Sequence, residues 1–384
     1  MKRDRRSRRR ISNEDAVAIT LAKFRSHPPR SLDDLAEEFD REPAVISRTI
    51  TRAFRDGLVE VMPARYSVPP PRKESLERRL LERYEGLSGC IVLDSQEPTT
   101  PADDDRLHDY LGGAMAALIA SGTVFRDKDV IGLGSGRGVY HTVRNLGAHA
   151  PLKARVTLCS LTGQVHPRDH SEQVNVLMDA DIHLGMLGVC FKDQVTLHPI
   201  SHAIVCGTAD EARRVLNQSR LSEAAWKAGL PTHALVGVGV LAEGHRFYRH
   251  VKTGASARSH LLRSIEGPLE QLVKICDIIS GAGTPFYCPV ADIANRLFFV
   301  PPPDGVRLPS GLGKDTLERK VKSLIDDINS RLVTVRGAQL HQIAHIMLVA
   351  GSRRKAGAVR QLLLDQYPLR FVCVDQQLAT ELLG

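Results

Sequence analysis

Short apolar runs recur along most of the chain, separated by stretches with helical periodicity. They are Cys90-Ile91-Val92-Leu93, Val130-Ile131-Gly132-Leu133, Val156-Thr157-Leu158-Cys159, Ile182-His183-Leu184-Gly185, Ala203-Ile204-Val205-Cys206, Ala234-Leu235-Val236-Gly237, Ile346-Met347-Leu348-Val349 and Phe371-Val372-Cys373-Val374. A strand apolar at nearly every position has no side to show to water, so it is buried on both faces. Such strands with helices between them make an α/β fold, a mainly parallel sheet covered by helices on both faces. A long apolar helix from about Leu107 to Ser121 precedes the second run, and a helix holding Val143 and Leu146 follows it. No internal repeat is evident.

The first part of the chain reads differently. In NEDAVAITLAKFR, Val17, Leu21 and Phe24 share one helical face. Ser31 followed by Asp34 resembles the start of a capped helix, which continues through Leu32, Leu35, Ala36 and Phe39. Asp40 to Glu42 breaks it, and Pro43 suits the first turn of a third helix through Ile46, Ile50 and Ala53 to about Arg55. Gly57 stops that helix, and Leu58-Val59-Glu60-Val61 reads as a short strand. Three short helices, the last two joined tightly, match a helix-turn-helix. With Ile46, Ile50 and Ala53 inward, Ala44, Ser47, Arg48, Thr51, Arg52 and Arg55 face outward. Small residues and arginines on one face are what a helix entering the DNA major groove needs. The plainer alternative is a three-helix bundle with a solvated basic face.

Charge bears on that choice. The chain has 384 residues and a formal net charge of +8. Much of the surplus sits at the start, where Lys2, Arg3, Arg5, Arg6, Arg8, Arg9 and Arg10 face only Asp4. A block of like charge this dense does not pack, and beside a helix-turn-helix it reads as an arm along the DNA backbone. Asn13, Glu14 and Asp15 interrupt any apolar signal core after it. The uncharged stretch from Tyr110 to Phe125 falls short of the roughly 20 residues that span a bilayer. Seven scattered cysteines without a C-x-x-C pair read as reduced thiols. The expectation is a cytoplasmic protein without a membrane partner.

These signals divide the chain into a basic arm over 1–10, a helix-turn-helix unit over 11–66, a proline-rich linker with a helix over 67–85, and a large α/β unit over 86–384. The linker helix carries Leu76, Leu80, Leu81 and Tyr84 on one side. It either pairs two subunits or packs on the large unit.

Ligands of open α/β sheets bind beyond the carboxyl ends of strands. Three strand-to-helix loops there carry suitable residues. Gly134-Ser135-Gly136-Arg137-Gly138 lets backbone amides approach an anion at a helix start. Leu161-Thr162-Gly163-Gln164 follows the third run. Gly351-Ser352-Arg353-Arg354-Lys355 places cations where the helix dipole disfavours them unless an anion intervenes. Together they point to a phosphate-bearing small ligand.

The segments DVIGLGSGRGVYHTV, DIANRLFFVPPPDG, IMLVAGSRRKAGAVRQLL and VCVDQQLATELL occur in the order seen in SorC-type sugar-binding transcriptional regulators, which the chain resembles over nearly its whole length. That resemblance implies an effector unit similar to sugar-phosphate isomerases and glucosamine-phosphate deaminases. It implies a phosphorylated sugar as effector, operator DNA as partner, and self-association as a dimer or tetramer. By position, Gly134, Ser135, Gly136, Arg137 and Gly138 form the phosphate turn, and Gln164 lies on the second loop. Asp292 sits near the sugar hydroxyls, while Gly351 and Lys355 belong to the last loop. Two positions depart from the family pattern. Gly138 stands where a threonine is usual, and Ala294-Asn295 replaces an expected glycine.

Three other readings compete. An isomerase or deaminase needs a positioned carboxylate base. The nearest acidic stretch, Asp179-Ala180-Asp181, reads more simply as helix-end capping. The pairs His166/His170, His198/His202 and His341/His345 have ligand-like spacing, but Pro167 and Pro199 break the first two and the third lacks an adjacent acid. No cofactor or metal is implied. The third reading is a DNA-binding protein that responds to no effector. The reading that joins both units is a non-enzymatic, effector-controlled transcriptional regulator. Deleting residues 1–10 is expected to flatten the salt dependence of DNA binding without changing the preferred site. The log–log slope falls by about 0.9 for each phosphate that the arm no longer neutralises. Titrations at several salt concentrations check this; a changed site preference would show that the arm reads bases.

Overall fold

The structure is a computed structural model and describes residues 11–25, 30–55, 70–164, 179–192, 195–200, 202–218, 231–242, 245–252, 262–281, 287–303, 306, 308–309 and 313–384. The expected arm over 1–10, the strand over 58–61 and His166/His170 lie outside these residues. In chain order the elements are α1 (Asn13–Arg25), α2 (Leu32–Glu38), α3 (Pro43–Arg55), α4 (Glu74–Arg83), β1 (Gly89–Leu93), α5 (Pro101–Ala120), β2 (Val130–Leu133), α6 (Arg137–Leu146), β3 (Val156–Ser160), α7 (Ala180–Gly188), β4 (Val195–His198) and α8 (Ala209–Gln218). Then follow β5 (His233–Val240), α9 (Arg246–Lys252), α10 (Glu266–Gly281), β6 (Val290–Ile293), β7 (Arg296–Phe299), α11 (Lys314–Ser330), α12 (Gly337–Leu340), β8 (His345–Ala350), a 3-10 turn (Arg353–Lys355), α13 (Ala356–Leu364), β9 (Leu369–Asp375) and α14 (Gln376–Leu383).

Seven strands form a parallel sheet in the order β1-β9-β8-β5-β2-β3-β4. The end of β5 continues into an antiparallel ribbon with β6 and β7. The two-residue periodicity of a strand feeds two cores. Ile346, Leu348, Val372 and Val374 enter one core with Val92, Ala234 and Val236. Met347, Val349, Cys373, Ile91, Leu93 and Leu235 enter the other, beneath α5 and α6. Burying one such aliphatic side chain contributes roughly 1.5–3 kcal/mol. Replacing one of these aliphatic side chains with a polar one forfeits that burial on either face.

Two expected strands are absent from their described positions. Ile182–Gly185 lies inside α7, which Asp179 N-caps by accepting from the amides of Asp181 and Ile182. A short helix buried nearly all round shows the same unbroken apolar run as a buried strand. Ala203–Cys206 makes only isolated bridges, Ala203 to Gln164 and Val205 to Leu332. The sequence reading also overlooked β4 and the β6–β7 hairpin.

In the N-terminal unit Ile46, Ile50 and Ala53 are buried as expected. On α1, Ala16, Ile19, Thr20 and Lys23 are buried and Val17 is partly covered, while the Leu21 and Phe24 side chains of the expected face lie outside the described residues. Lys23 tolerates burial because its ammonium donates to the Arg30 carbonyl. The helix α4 packs on the large unit. Leu80 and Tyr84 join its core, the Tyr84 hydroxyl donates to the Leu382 carbonyl at 2.9 Å, and the Glu77 carboxylate accepts from the Val92 amide at 2.9 Å.

The helices α5 and α6 meet closely at Gly112, where a Cβ would come within 2.6 Å of the His141 backbone. The His141 ring, 1% exposed, bridges Asp109 and Asp105 at 3.1 Å each. Two carboxylate partners require both ring nitrogens to donate, hence an imidazolium. Burial opposes its charge, yet the two carboxylates outweigh burial and hold His141 above its ordinary value of 6.5. Asp105 is held low, chiefly by its hydrogen bond to His141. A raised histidine stabilises fully below its unfolded pKa and loses that stabilisation as pH rises through the folded value. Thermal unfolding followed between about pH 6 and 9 is expected to show this loss, and His141→Gln is expected to abolish it. Parallel profiles for the two proteins would remove the triad from the account.

Candidate functional site

The sheet changes direction between β2 and β5, since β3 and β4 extend to one side of β2 while β5, β8 and β9 lie on the other. A crevice at such a reversal is where open α/β sheets place ligands. The first loop enters it directly after β2. Gly134 donates its amide to the Leu235 carbonyl at 2.9 Å, fixing the loop to β5. Gly136 has φ 116, which only glycine adopts without strain, and it begins α6 with no side-chain cap. Gly138 packs so tightly on β8 that a Cβ would lie 2.9 Å from the Val349 carbonyl oxygen. The threonine usual in the resembling family has no room here.

Two cations border this helix start. Arg137, the first residue of α6, pairs with Asp104 of α5. Lys355 reaches in from the 3-10 turn, its ammonium 3.3 Å from Nε2 of His108. His108 donates Nδ1–H to the Asp104 carbonyl at 2.7 Å, leaving Nε2 to accept from Lys355. Burial and the Lys355 charge bring His108 down to about 4, so the ring is neutral. Burial also lowers Lys355 from its ordinary value, with Asp104 pulling the other way. Burial pushes the Asp104 carboxyl up, but His108, Arg137 and Lys355 together hold it well below the usual range.

The other cations of the last loop have different partners. The Glu97 carboxylate accepts from the Ser352 hydroxyl at 2.5 Å and the Arg353 amide at 3.0 Å, and Arg353 pairs with Glu381 at 2.5 Å. Asp375 accepts from the Ser352 amide. Carboxylates of the chain thus supply anions at this helix start. Arg354 is exposed, and Gly351 packs on Leu107 and Leu111.

The opposite wall comes from the second loop and the hairpin. Gln164 donates to Asp181 at 2.6 Å, and Asp181 also accepts from the Ser160 hydroxyl and the Ile200 amide. Burial and the neighbouring Asp181 charge push Asp179 up to about 7. Asp292 on β6 is buried; its carboxylate contacts Nε2 of His245 at 3.0 Å and accepts from the Asn295 amide at 3.1 Å. The hairpin turns at Ala294 and Asn295 with φ 49 and 65, the left-handed pair that a two-residue turn requires. Asn295 Nδ2 then donates to Ser135 Oγ at 2.7 Å and Thr162 Oγ1 at 2.9 Å. One amide ties the first loop, the second loop and the hairpin together.

Of the expected set, Gly134–Gly138, Gln164, Asp292, Gly351 and Lys355 all lie beyond the carboxyl ends of the sheet or on its ribbon. Sequence reasoning missed Asp104, His108, His245, Glu97 and Asp375. The signal for the first two was present in PADDDRLHDY, where Asp104 and His108 are four apart on one helical face. Asn295 registered only as a departure from pattern.

On α3, Ala44 and Arg48 are exposed and Ser47 is partly so. Arg52 donates to the Ile11 and Ser12 carbonyls at 3.0 and 3.3 Å, anchoring the start of α1. Thr51 faces α7, where a Cβ on Gly185 would lie 3.6 Å from its methyl group. The Arg55 side chain lies outside the described residues. His341 stacks on Tyr367 and His345 on His233. Among the described residues no group of three His, Cys, Asp or Glu side chains is arranged to hold a metal, and no helix is long and apolar enough to cross a membrane.

The description "putative sugar-binding domain" matches residues 69–264. No curated protein matches the chain. Among solved structures, the full-length sorbitol operon regulator SorC from Klebsiella pneumoniae is similar with a TM-score of 0.54 at 16% identity, covering 97% of this chain and 99% of that one. A "putative sugar-binding domain of transcriptional repressor" from Vibrio fischeri gives 0.53 at 17% identity, covering 81% of this chain and 98% of that one. "A domain of a possible sugar-binding transcriptional regulator" from Arthrobacter aurescens TC1 gives 0.54 at 15%, covering 84% and 100%. At these identities the likeness is one of fold.

Replacing Asn295 tests the bridge apart from the turn. Asn295→Gly removes the side chain while easing the positive φ, and is expected to lower stability by about 1–3 kcal/mol. Chemical denaturation measures this; stability equal to the parent would show that the bridge contributes nothing.

Proposed function

The chain belongs to the family defined by the putative sugar-binding domain, and from that premise we propose that it is a transcriptional regulator whose operator affinity is set by a phosphorylated sugar. The ligand's phosphate takes the amides at the start of α6 with Arg137 and Lys355, where fixed cations and an open helix terminus favour a dianion. Its hydroxyls meet Asp292, His245 and Gln164, which offer acceptors and donors to a polyol. The protein acts as a self-associated dimer or tetramer in the cytoplasm, and presents α3 to successive major grooves.

The observation that carries this reading is the position of α7. Asp181 at its first turn holds Gln164 and Ser160. His183 in its middle has Nδ1 3.5 Å from the Gly134 carbonyl oxygen. Gly185, one turn beyond Asp181, faces Thr51 of the DNA-reading helix, and Val189 packs on the N-terminal core. One short helix therefore touches two ligand loops and the DNA-binding unit. Allostery requires a ligand to favour one of two arrangements. A ligand that draws Gln164 from Asp181 shifts α7, and with it the seat of α3.

The acidic pair that an enolising enzyme would need is otherwise engaged. Asp179 caps α7 and Asp181 accepts three hydrogen bonds. This supports regulation over catalysis.

A panel of phosphorylated sugars, read by thermal shift and by operator titration, tests the proposal. At least one is expected to raise the melting temperature and change operator affinity several-fold. Lys355→Ala is expected to lose both responses while keeping operator binding without ligand. Turnover of a panel member with no effect on DNA, or no response to any member, would overturn it.

A further inference from the structure

The buried thiols belong to neither unit's proposed role, and two of them lie in contact. Cys276 on α10 is 5% exposed, and Cys288, just before β6, is partly exposed. Their sulfurs are 3.6 Å apart, although twelve positions separate them in sequence. The surroundings differ. Cys276 is enclosed by the large core, whereas the Cys288 thiol also meets two carbonyl oxygens, Leu241 at 3.4 Å and Val290 at 3.2 Å. A disulfide needs a sulfur separation of about 2 Å, so a movement of roughly 1.5 Å by either side chain closes the bond.

From this pair we infer that Cys276 and Cys288 form a peroxide-sensitive disulfide. The sulfur of Cys288, the residue of the pair that is partly exposed, attacks one oxygen of a hydroperoxide as its thiolate. The S–O bond forms as the O–O bond breaks, and the departing oxygen leaves with a proton as water or an alcohol. Cys276, giving up its proton, then attacks the sulfenic sulfur. The S–S bond forms, the S–O bond breaks, and the oxygen leaves as water. Two thiols are oxidised and one peroxide is reduced, with no further reactant. A thiol reverses the bond by exchange.

The position gives the bond a consequence. Leu241 ends the β5 side of the ribbon, and its amide donates to the Val290 carbonyl at 2.9 Å. Both carbonyls that Cys288 contacts therefore belong to the hinge between β5 and β6. Beyond that hinge lie His245 on one chain segment and Asp292 on the other, joined at 3.0 Å. Next to Cys276, Asp277 accepts from the Tyr248 hydroxyl at 2.8 Å and pairs with Lys252 at 2.6 Å, so α9 is tied to α10. Oxidation thus links α10 covalently to the strand carrying Asp292. The inference stands on the thiol geometry and does not depend on which ligand the site takes.

The full chain is treated with stoichiometric hydrogen peroxide, and its thiols are counted before and after. Two of the seven are expected to disappear, and a non-reduced digest is expected to yield a peptide crosslinked between Cys276 and Cys288 that dithiothreitol releases. Cys276→Ser leaves Cys288 as a sulfenic acid that dimedone traps. Cys288→Ser leaves Cys276 a thiol at the same peroxide dose. Crosslinks to other cysteines, oxidation of Cys276 in Cys288→Ser at the parental rate, or over-oxidised cysteine without a crosslink in the parent would overturn the inference.

Discussion

The demand that both faces of a parallel sheet be dry governs the rest of this molecule. Adjacent residues on β8, such as Leu348 and Val349, enter different cores, so helices must lie on both sides. The connections through α5, α6 and α13 then run from the carboxyl end of one parallel strand over a face to the start of the next. The loops that leave those ends collect along one edge. Gly134–Gly138, Thr162, Gln164 and Ser352–Lys355 come together for that topological reason before any chemistry between them counts.

Charge within the site is largely balanced from inside. Asp104 is shared by Arg137, His108 and, through space, Lys355. Glu97 and Asp375 hold the turn that carries Lys355. Without such partners, clustered cations repel one another and lose hydration. Under the proposed function, an incoming anion would find cations already oriented, and its binding would be an exchange among carboxylates more than a simple neutralisation. That exchange would give the site a means of moving parts of the protein, because a displaced carboxylate or amide takes its helix with it.

The central strands were legible because their burial is nearly complete and their apolar runs are unbroken. The same criterion misread Ile182–Gly185, where a helix is enclosed on almost every side and its 3.6-residue period vanishes. The edge strand β4 alternates polar and apolar residues over only Val195–His198, too short a pattern to stand out. The hairpin at Ala294-Asn295 lacks the glycine that usually announces a two-residue turn. Within the site, Lys355 was legible from a local conflict between charge and helix dipole. Asp292 was reached only through the resemblance. Asp104, His108 and His245 come from other parts of the sheet's connections, and local patterning cannot tell which distant residues a fold will bring together. The sequence pattern offers Arg52 and Arg353 as available cations. Each is held by groups distant in sequence, at Ile11–Ser12 and Glu381 respectively.

The tight seat of Gly138 on Val349 has an evolutionary side. A side chain there would have to part α6 from β8, and that packing sets the height of the first loop over the sheet. A hydroxyl side chain at position 138 therefore needs the strand beneath to shift as well. Changes in ligand preference are therefore channelled to positions whose side chains already point into the crevice with room around them.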